Sequence, residues 1–172
     1  MKNKSTKQLI LSGLFIAIGI VLPIIFHSIG GGSMFLPMHI PVLIAGFFLS
    51  IPYALSVGAL TTLLSSLLTG MPPVFPVLPF MIVELATYGV IVSLLYRKYN
   101  MNVYVSLIIS MICGRIMAGL VVWSLATFFM AKLPSPMIFI TASVTKSIPG
   151  IVIQLIFIPV IVMAVNKNRR KI

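Results

Sequence analysis

Residues 8–26, QLILSGLFIAIGIVLPIIF, decide the fold class of this chain. They form a run of 19 residues without a charged side chain, and a helix of roughly 20 apolar residues crosses the hydrocarbon core of a membrane. Lys2, Lys4 and Lys7 precede the run as they would in a signal peptide, but no small-x-small cleavage site follows it. We therefore interpret the run as a membrane anchor that is retained.

The rest of the chain has the same bias in composition. Of 172 residues, 60% are hydrophobic and 8% are charged, and the mean hydropathy is +1.20. A soluble domain carries about 25% charged residues, so the composition excludes a soluble single-domain enzyme. The net charge of +11 does not indicate nucleic-acid binding, because the basic residues flank the apolar runs as in membrane proteins. The single cysteine, Cys113, excludes an internal disulfide.

Six apolar runs predict an all-α integral membrane protein, with six transmembrane helices in a single domain over residues 1–172. The predicted spans are residues 8–26, 38–49, 53–69, 78–96, 103–131 and 137–165. The second and third spans are separated only by Ser50, Ile51 and Pro52, and the proline is the best helix breaker in this region. Loops rich in glycine and proline follow the first, third and fifth spans, at residues 30–33, 70–76 and 132–136.

The distribution of basic residues predicts the orientation in the membrane. Cytoplasmic loops carry an excess of Lys and Arg. With the N-terminus inside, six spans return the C-terminus to the same side and place nine basic residues in the cytoplasm, against Lys132 outside. We therefore expect both termini and the loop after the fourth span, which contains Arg97 and Lys98, to be cytoplasmic. Arg115 and Lys146 fall within spans.

Glu84, the only acidic residue in the chain, lies within the fourth predicted span. A charge inside the bilayer costs at least a few kcal/mol and indicates function by default; the alternative is a purely structural ion pair with Arg115 or Lys146. One negative charge against two positive charges leaves one cation unmatched, which is expensive in a buried site. That cation could be a deprotonated Lys146, a cation solvated in a cavity, or a partner for an anionic ligand.

The depth of the three charges along their spans predicts that they converge on one cavity in the outer half of the membrane. Helical spacing adds further polar or aromatic neighbours, which gives the composition of a pocket for a small ligand. The predicted substrate-binding residues are Glu84, Tyr88, Arg115, Trp123, Lys146, Gln154 and His39. Lys146 is expected to be the main partner of a ligand carboxylate, with Glu84 and Arg115 compensating each other.

His27 and His39 flank the first glycine-rich loop, but a metal site would require a third ligand and carboxylates are almost absent. We therefore predict no metal site and no cofactor, and a ligand-contacting or interfacial role for His39. No P-loop, Ser/His/Asp set, carboxylate pair or HExxH motif occurs, so we expect a protein that is not an enzyme and does not itself hydrolyse ATP. On the first span, Gly13 and Ala17 form a small-xxx-small pair of the kind that lets helices approach closely.

Three stretches of the sequence resemble the S components of energy-coupling factor (ECF) vitamin transporters. They are residues 35–47 (FLPMHIPVLIAGF), residues 64–73 (LSSLLTGMPP) followed by residues 84–89 (ELATYG), and residues 145–150 (TKSIPG) followed by Gln154. The resemblance covers nearly the whole chain, including its size and its six spans.

This resemblance implies a substrate-capture subunit of micronutrient uptake in the bacterial cell membrane. Members of the family bind a vitamin near the outer face, under loops that match residues 30–35 and 70–77 here. They dock on a transmembrane coupling (T) subunit served by two cytoplasmic ATPases, and are thought to topple in the membrane to release the ligand. Many members contact the coupling subunit through an Ala-xxx-Ala face on the first span, and the nearest match here is Gly13 and Ala17.

The substrate is less sharply indicated than the family. Two cations against one acid favour a carboxylate, which among the family's substrates points to niacin or pantothenate, and the aromatic candidates favour niacin. Cofactor-sized ligands such as cobalamin remain open. The competing hypotheses are a stand-alone secondary carrier that uses Glu84 as its proton carrier, and a structural or assembly protein of the membrane.

Overall fold

A computed structural model describes residues 2–28, 30, 35–128 and 136–169. Its regular structure consists of helices. They are α1 (Lys2–Ser28), α2 (His39–Phe48), α3 (Ile51–Thr69), α4 (Val77–Val92), α5 (Val103–Phe128) and α6 (Pro136–Arg169). A π-helical turn, Ser93–Lys98, continues α4 without a break. The predicted loop residues 31–33 and 132–135, and the predicted end of the fifth span at 129–131, lie outside the described residues.

All six predicted spans correspond to helices, but their lengths differ. Within the part of the chain that the structure describes, five helical segments are long and apolar enough to cross a membrane. The exception is α2, which has 10 residues and is therefore about 15 Å long, half the thickness of a hydrocarbon core. The residues before it, among them Leu36, Pro37 and Met38, line a cavity in the bundle. The second span is thus a half-length helix preceded by a segment that contributes to cavity walls.

The short helix α2 lies at the centre of the bundle. It packs against α1, α3, α4 and α6, and Val42, Leu43 and Ala45 on it are completely buried. Irregular backbone at membrane depth is tolerated only where protein covers it or where it lines a cavity. Central burial therefore explains how the chain accommodates a helix too short to span the membrane alone.

Helices α3 and α4 pack closely through two glycines. A Cβ atom on Gly58 would collide with the backbone of Leu85 and Ala86, and one on Gly89 would collide with the backbone of Ala54. Small residues at such crossings allow the backbones to approach, and van der Waals packing is a main source of helix association in lipid. This contact fixes the position of α4, which carries Glu84 and Tyr88.

The break between α2 and α3 is held by a side chain from α1. The Gln8 Oε1 atom accepts hydrogen bonds from the Ser50 backbone N–H at 2.9 Å and from the Ser50 hydroxyl at 2.6 Å. Pro52 lies in the first turn of α3, where a proline needs no hydrogen-bond donor. A break is present where it was predicted, but it lies at Leu49 and Ser50, because α3 already begins at Ile51 and includes Pro52.

Candidate functional site

Glu84 is the centre of a buried polar cluster. Its side chain is 2% exposed, and its Oε1 atom lies 3.0 Å from Nη1 of Arg115 on α5. The same oxygen accepts a 2.6 Å hydrogen bond from the hydroxyl of Tyr88, one helical turn further along α4. A buried carboxylate needs both a counter-charge and hydrogen-bond donors, and α4 and α5 together supply them.

Arg115 extends the cluster to the sixth helix. Its Nη2 atom donates a hydrogen bond to the Ser147 hydroxyl at 3.2 Å, and that hydroxyl donates to the Ser143 carbonyl at 2.7 Å. The guanidinium is therefore fixed from two sides, by the Glu84 carboxylate and by the Ser147 hydroxyl. A guanidinium carries five N–H groups. Arg115 therefore has N–H groups left to donate to a further anionic partner in the cavity that it lines.

The Tyr88 ring occupies space left by a glycine on α5. A Cβ atom on Gly114 would overlap ring carbons of Tyr88. Gly114 therefore lets Tyr88 lie against α5 with its hydroxyl on Glu84, while the next residue, Arg115, reaches the same carboxylate. Sequence reasoning missed Gly114. The signal that could have found it is the series of small residues Ser110, Gly114 and Ala118, one turn apart on the buried face of α5.

His39 begins α2 and lies beside this cluster. It is 2% exposed, its ring packs against the Tyr88 ring with centroids 5.5 Å apart, and its Nε2 atom lies 3.7 Å from Glu84 Oε1. That distance is too long for a hydrogen bond. Neither ring nitrogen has a hydrogen-bond partner among the described residues.

Residues of this cluster line two cavities. The first, which we call the loop cavity, has a volume of about 440 Å³ and lies between α1, the start of α2 and the segment 70–73. The second, the helix cavity, has a volume of about 340 Å³ and lies between α4, α5 and α6. His39 lines the loop cavity, whereas Tyr88, Arg115 and Gln154 line the helix cavity. Leu36 lines both, so its side chain belongs to the wall that they share.

Gln154 gives the helix cavity a second polar group. It is 1% exposed, and its Nε2 atom is buried without a hydrogen-bond partner among the described residues. Most buried polar side-chain atoms in proteins are hydrogen-bonded, so an unpaired amide at a cavity wall requires an explanation. An anionic or hydrogen-bond-accepting ligand in the helix cavity would provide one.

Comparison with known families supplies the context for this geometry. The family described as ECF transporter, substrate-specific component, matches residues 7–162. The chain belongs to this family. No curated protein and no solved structure shows significant similarity to the chain. The protein is thus a substrate-specific S component, a transporter subunit with several membrane-spanning helices.

Three of the predicted site residues in this S component line neither cavity: Glu84, which is buried in the cluster, Lys146 and Trp123. Lys146 is exposed on α6, and Trp123 is 53% exposed on α5. The predicted convergence of three charges is therefore corrected to two, Glu84 and Arg115. Residues eight apart on a helix differ by about 80° around its axis, so Gln154 points inward while Lys146 does not, and Arg115 and Trp123 also face different sides.

The remaining predicted residues of the S component lie at its periphery. His27 is exposed, although it lines the loop cavity. Gly13 and Ala17 are both exposed on α1, and a Cβ atom on Gly13 would meet nothing within 4 Å. Within the described ranges, no group of three or more His, Cys, Asp or Glu side chains could hold a metal ion.

Proposed function

We propose that this S component captures a small carboxylate vitamin in the helix cavity, for ATP-driven uptake by an ECF transporter. The observation that carries the proposal is the Arg115 guanidinium at the cavity wall, oriented by Glu84 at 3.0 Å and Ser147 at 3.2 Å. A guanidinium held in this way is a preorganised carboxylate partner. Gln154 is among the residues that line the same cavity, and we propose that its buried amide nitrogen, which has no hydrogen-bond partner among the described residues, turns to donate to the second carboxylate oxygen or to a neighbouring group.

The proposed binding residues in the helix cavity are Arg115, Gln154 and Tyr88, with Glu84 as the residue that positions Arg115. His39 lines the loop cavity and supports the cluster by packing its ring against that of Tyr88. This assignment transfers the role of the main carboxylate partner from Lys146 to Arg115. The ion pair with Glu84 also explains how Arg115 can stay charged inside the bundle when no ligand is bound, since an uncompensated charge would be costly at this depth. Niacin and pantothenate are the candidate ligands. The exposure of Trp123 removes one of the aromatic surfaces that favoured niacin.

The acid and amide forms of the same ligand test the assignment of Arg115. We expect the purified wild-type chain to prefer niacin over nicotinamide, or pantothenate over its primary amide, by at least about 30-fold in Kd. The double variant Glu84→Gln/Arg115→Met removes the cation without stranding a charge, and it should lose this preference. Lys146→Met removes a cation from a membrane span outside the cavity and should keep it. A wild type that binds neither acid, or a double variant that retains the preference, would contradict the proposal.

We propose the same assembly for this S component as the family resemblance implies: a transmembrane T subunit, two cytoplasmic ATPases and a bacterial cytoplasmic membrane. The exposed Gly13 and Ala17 face of α1 is the proposed contact with the T subunit. Uptake that requires the ATPases and survives collapse of the proton gradient would support this assembly. Uptake by the chain alone, driven by the proton gradient and abolished in Glu84→Gln, would support the secondary carrier instead.

The proposed orientation places both termini and the loop around Asn100 in the cytoplasm. Cysteine substitutions of Asn3, Asn100 and Asn168, made on a Cys113→Ala background, should resist an impermeant thiol reagent in intact cells and react after permeabilisation. Labelling of the Asn100 position from outside would overturn the orientation.

A further inference from the structure

We infer that the carboxylate ligand binds together with one proton, which His39 takes up from water as the ligand enters the helix cavity. This inference rests on the proposed function, because it takes the carboxylate at Arg115 as given. It adds the proton as a second ligand of the site, and it makes the affinity for the carboxylate depend on pH.

The charges of the cluster match before the ligand enters and do not match afterwards. In the free chain Glu84 and Arg115 form a neutral pair, with Oε1 and Nη1 3.0 Å apart. A ligand carboxylate at Arg115 brings a second negative charge to a buried site, where an unmatched charge is costly. Lys146 is exposed on α6 and lines neither cavity, so it does not supply the missing positive charge. The bound state therefore requires a proton on one of the groups of the site.

His39 is placed to take up that proton. Its Nε2 atom lies 3.7 Å from Glu84 Oε1, the oxygen that Arg115 and Tyr88 also contact. Both ring nitrogens are buried without a hydrogen-bond partner among the described residues, and in a protonated imidazole both nitrogens are donors. A shift of about 1 Å would bring Nε2 within hydrogen-bond distance of the Glu84 carboxylate. The imidazolium would then have its counter-charge directly beside it.

The same surroundings leave His39 uncharged when no ligand is bound. The Glu84 charge is then already matched by Arg115, so a protonated His39 would be the unmatched charge, and burial disfavours the charged form. Among the described residues, the charged or titratable side chains around His39 are Glu84 and Tyr88 on α4, Arg115 on α5, and His27 on α1 at the loop cavity; α3 has no charged side chain. A proton on Glu84 instead would remove the carboxylate that orients Arg115, which favours His39 as the acceptor.

Isothermal titration calorimetry on the purified full chain counts the protons. The probe is whichever of niacin and pantothenate the wild type binds in preference to its amide, and we call it the carboxylate probe. Near about pH 7.5, titrations in two buffers of different ionisation enthalpy should show an uptake of about one proton per ligand. The Kd should rise with pH, by up to about tenfold per pH unit. Because the carboxyl group of the free probe is ionised above about pH 6, the proton is not already on the probe in solution.

Two histidine variants locate the proton. His39→Gln keeps a polar side chain but cannot be protonated, so the proton uptake should fall to near zero. Its Kd should be weaker than that of the wild type by about 10-fold near pH 6.5 and should approach the wild-type value near pH 8.5. A purely structural role of His39 would instead shift the Kd by the same factor at every pH. His27→Gln removes the exposed histidine of α1 and should keep both the uptake and the pH dependence.

The possible outcomes separate this inference from the proposed function. A wild type that binds the carboxylate probe with dependence on Arg115 but takes up no proton would overturn the inference and leave the proposed function intact. Uptake that persists in His39→Gln would place the proton on Glu84 or on the ligand, and the inference would fail. If the wild type bound neither acid, the proposed function would fail and this inference with it.

Discussion

The two ends of the helix bundle differ in how their polar side chains are hydrogen-bonded. At the end formed by the start of α1 and the α2–α3 break, which we call the paired end, four polar side chains bond to other elements, although the Ser106 hydroxyl at the start of α5 is buried without a hydrogen-bond partner among the described residues. Gln8 bonds Ser50, Arg97 donates to the Phe48 carbonyl at 3.1 Å, and Ser93 donates to the Leu49 carbonyl at 2.8 Å. Asn166 on α6 donates to the Tyr96 hydroxyl at 2.7 Å.

The opposite end, which contains the loop and helix cavities, has polar groups with spare capacity. His39 and Gln154 are buried there without hydrogen-bond partners among the described residues, and Arg115 is the shared cation of the cluster. The paired end therefore stabilises the backbone where helices stop and restart, since unsatisfied backbone groups are costly inside a membrane. Under the proposed function, the cavity end would give up some of that stability because its unpaired groups are kept available for a ligand.

Breaking the ion pair at the cavity end should have the largest effect on stability. Glu84→Gln leaves the Arg115 guanidinium buried without its counter-charge, and we expect a loss of about 3–5 kcal/mol in the free energy of unfolding. Unfolding of the purified chain in mixed micelles with increasing sodium dodecyl sulfate would measure it. The double variant Glu84→Gln/Arg115→Met should recover most of the loss. If Glu84→Gln were as stable as the wild type, the ion pair would not be a structural requirement of the cavity end.

Filling the space beside Tyr88 should have the next largest effect. In Gly114→Ala the added Cβ atom overlaps the Tyr88 ring, and overpacking of this kind costs about 1–3 kcal/mol. The displaced ring would also withdraw its hydroxyl from Glu84, so binding of the carboxylate probe should weaken. Gly13→Ala is the matched control, because its Cβ atom meets nothing within 4 Å. Equal behaviour of the two variants would show that Gly114 does not position Tyr88.

The sequence predicted the elements of this structure better than the directions in which their side chains point. Apolar runs and proline breaks located the six helices, and the scarcity of acidic residues drew attention to Glu84, whose predicted pairing with Arg115 is observed. The depth of a residue follows from the helical rise. To predict which side of the helix a residue occupies, an amphipathic pattern is needed. Membrane helices lack such a pattern, because their lipid-facing surfaces are as apolar as the core.

On the sixth helix, the missing amphipathic pattern led to a wrong prediction of which residue faces the cavity. Its buried face contains Ser147, Gly150, Gln154 and Ile158, in steps of three or four residues. Lys146 is one residue away from that face and is exposed, although its depth made it a candidate for the cavity. The position of His39 beside Glu84 likewise depends on tertiary packing, which no local pattern in the sequence specifies, whereas the short α2 matches the predicted span 38–49 to within one residue at each end.

At the paired end, removing one side chain should destabilise the protein without changing its ligand affinity. Gln8→Leu deprives the Ser50 backbone N–H and hydroxyl of their shared acceptor, and we expect a loss of about 1–2 kcal/mol. Gln8→Glu keeps an acceptor oxygen and should lose less. The Kd of the carboxylate probe should stay at the wild-type value in both variants. A change in Kd comparable to that of Gly114→Ala would show that the two ends are not separate in function.

Substitutions on the exposed face of α1 should leave the stability and the ligand affinity of the isolated subunit unchanged and should reduce only transport. Gly13→Leu or Ala17→Leu adds bulk to a surface with free space around it, so the unfolding free energy and the Kd of the isolated subunit should remain near wild type. Uptake by the complete transporter should fall, because a bulky side chain separates helices that rely on close packing. Gly13→Ala keeps the surface small and should retain uptake. Equal losses of binding and uptake in the leucine variants would place this face in the fold or the pocket, and the coupling contact would then lie elsewhere on the S component.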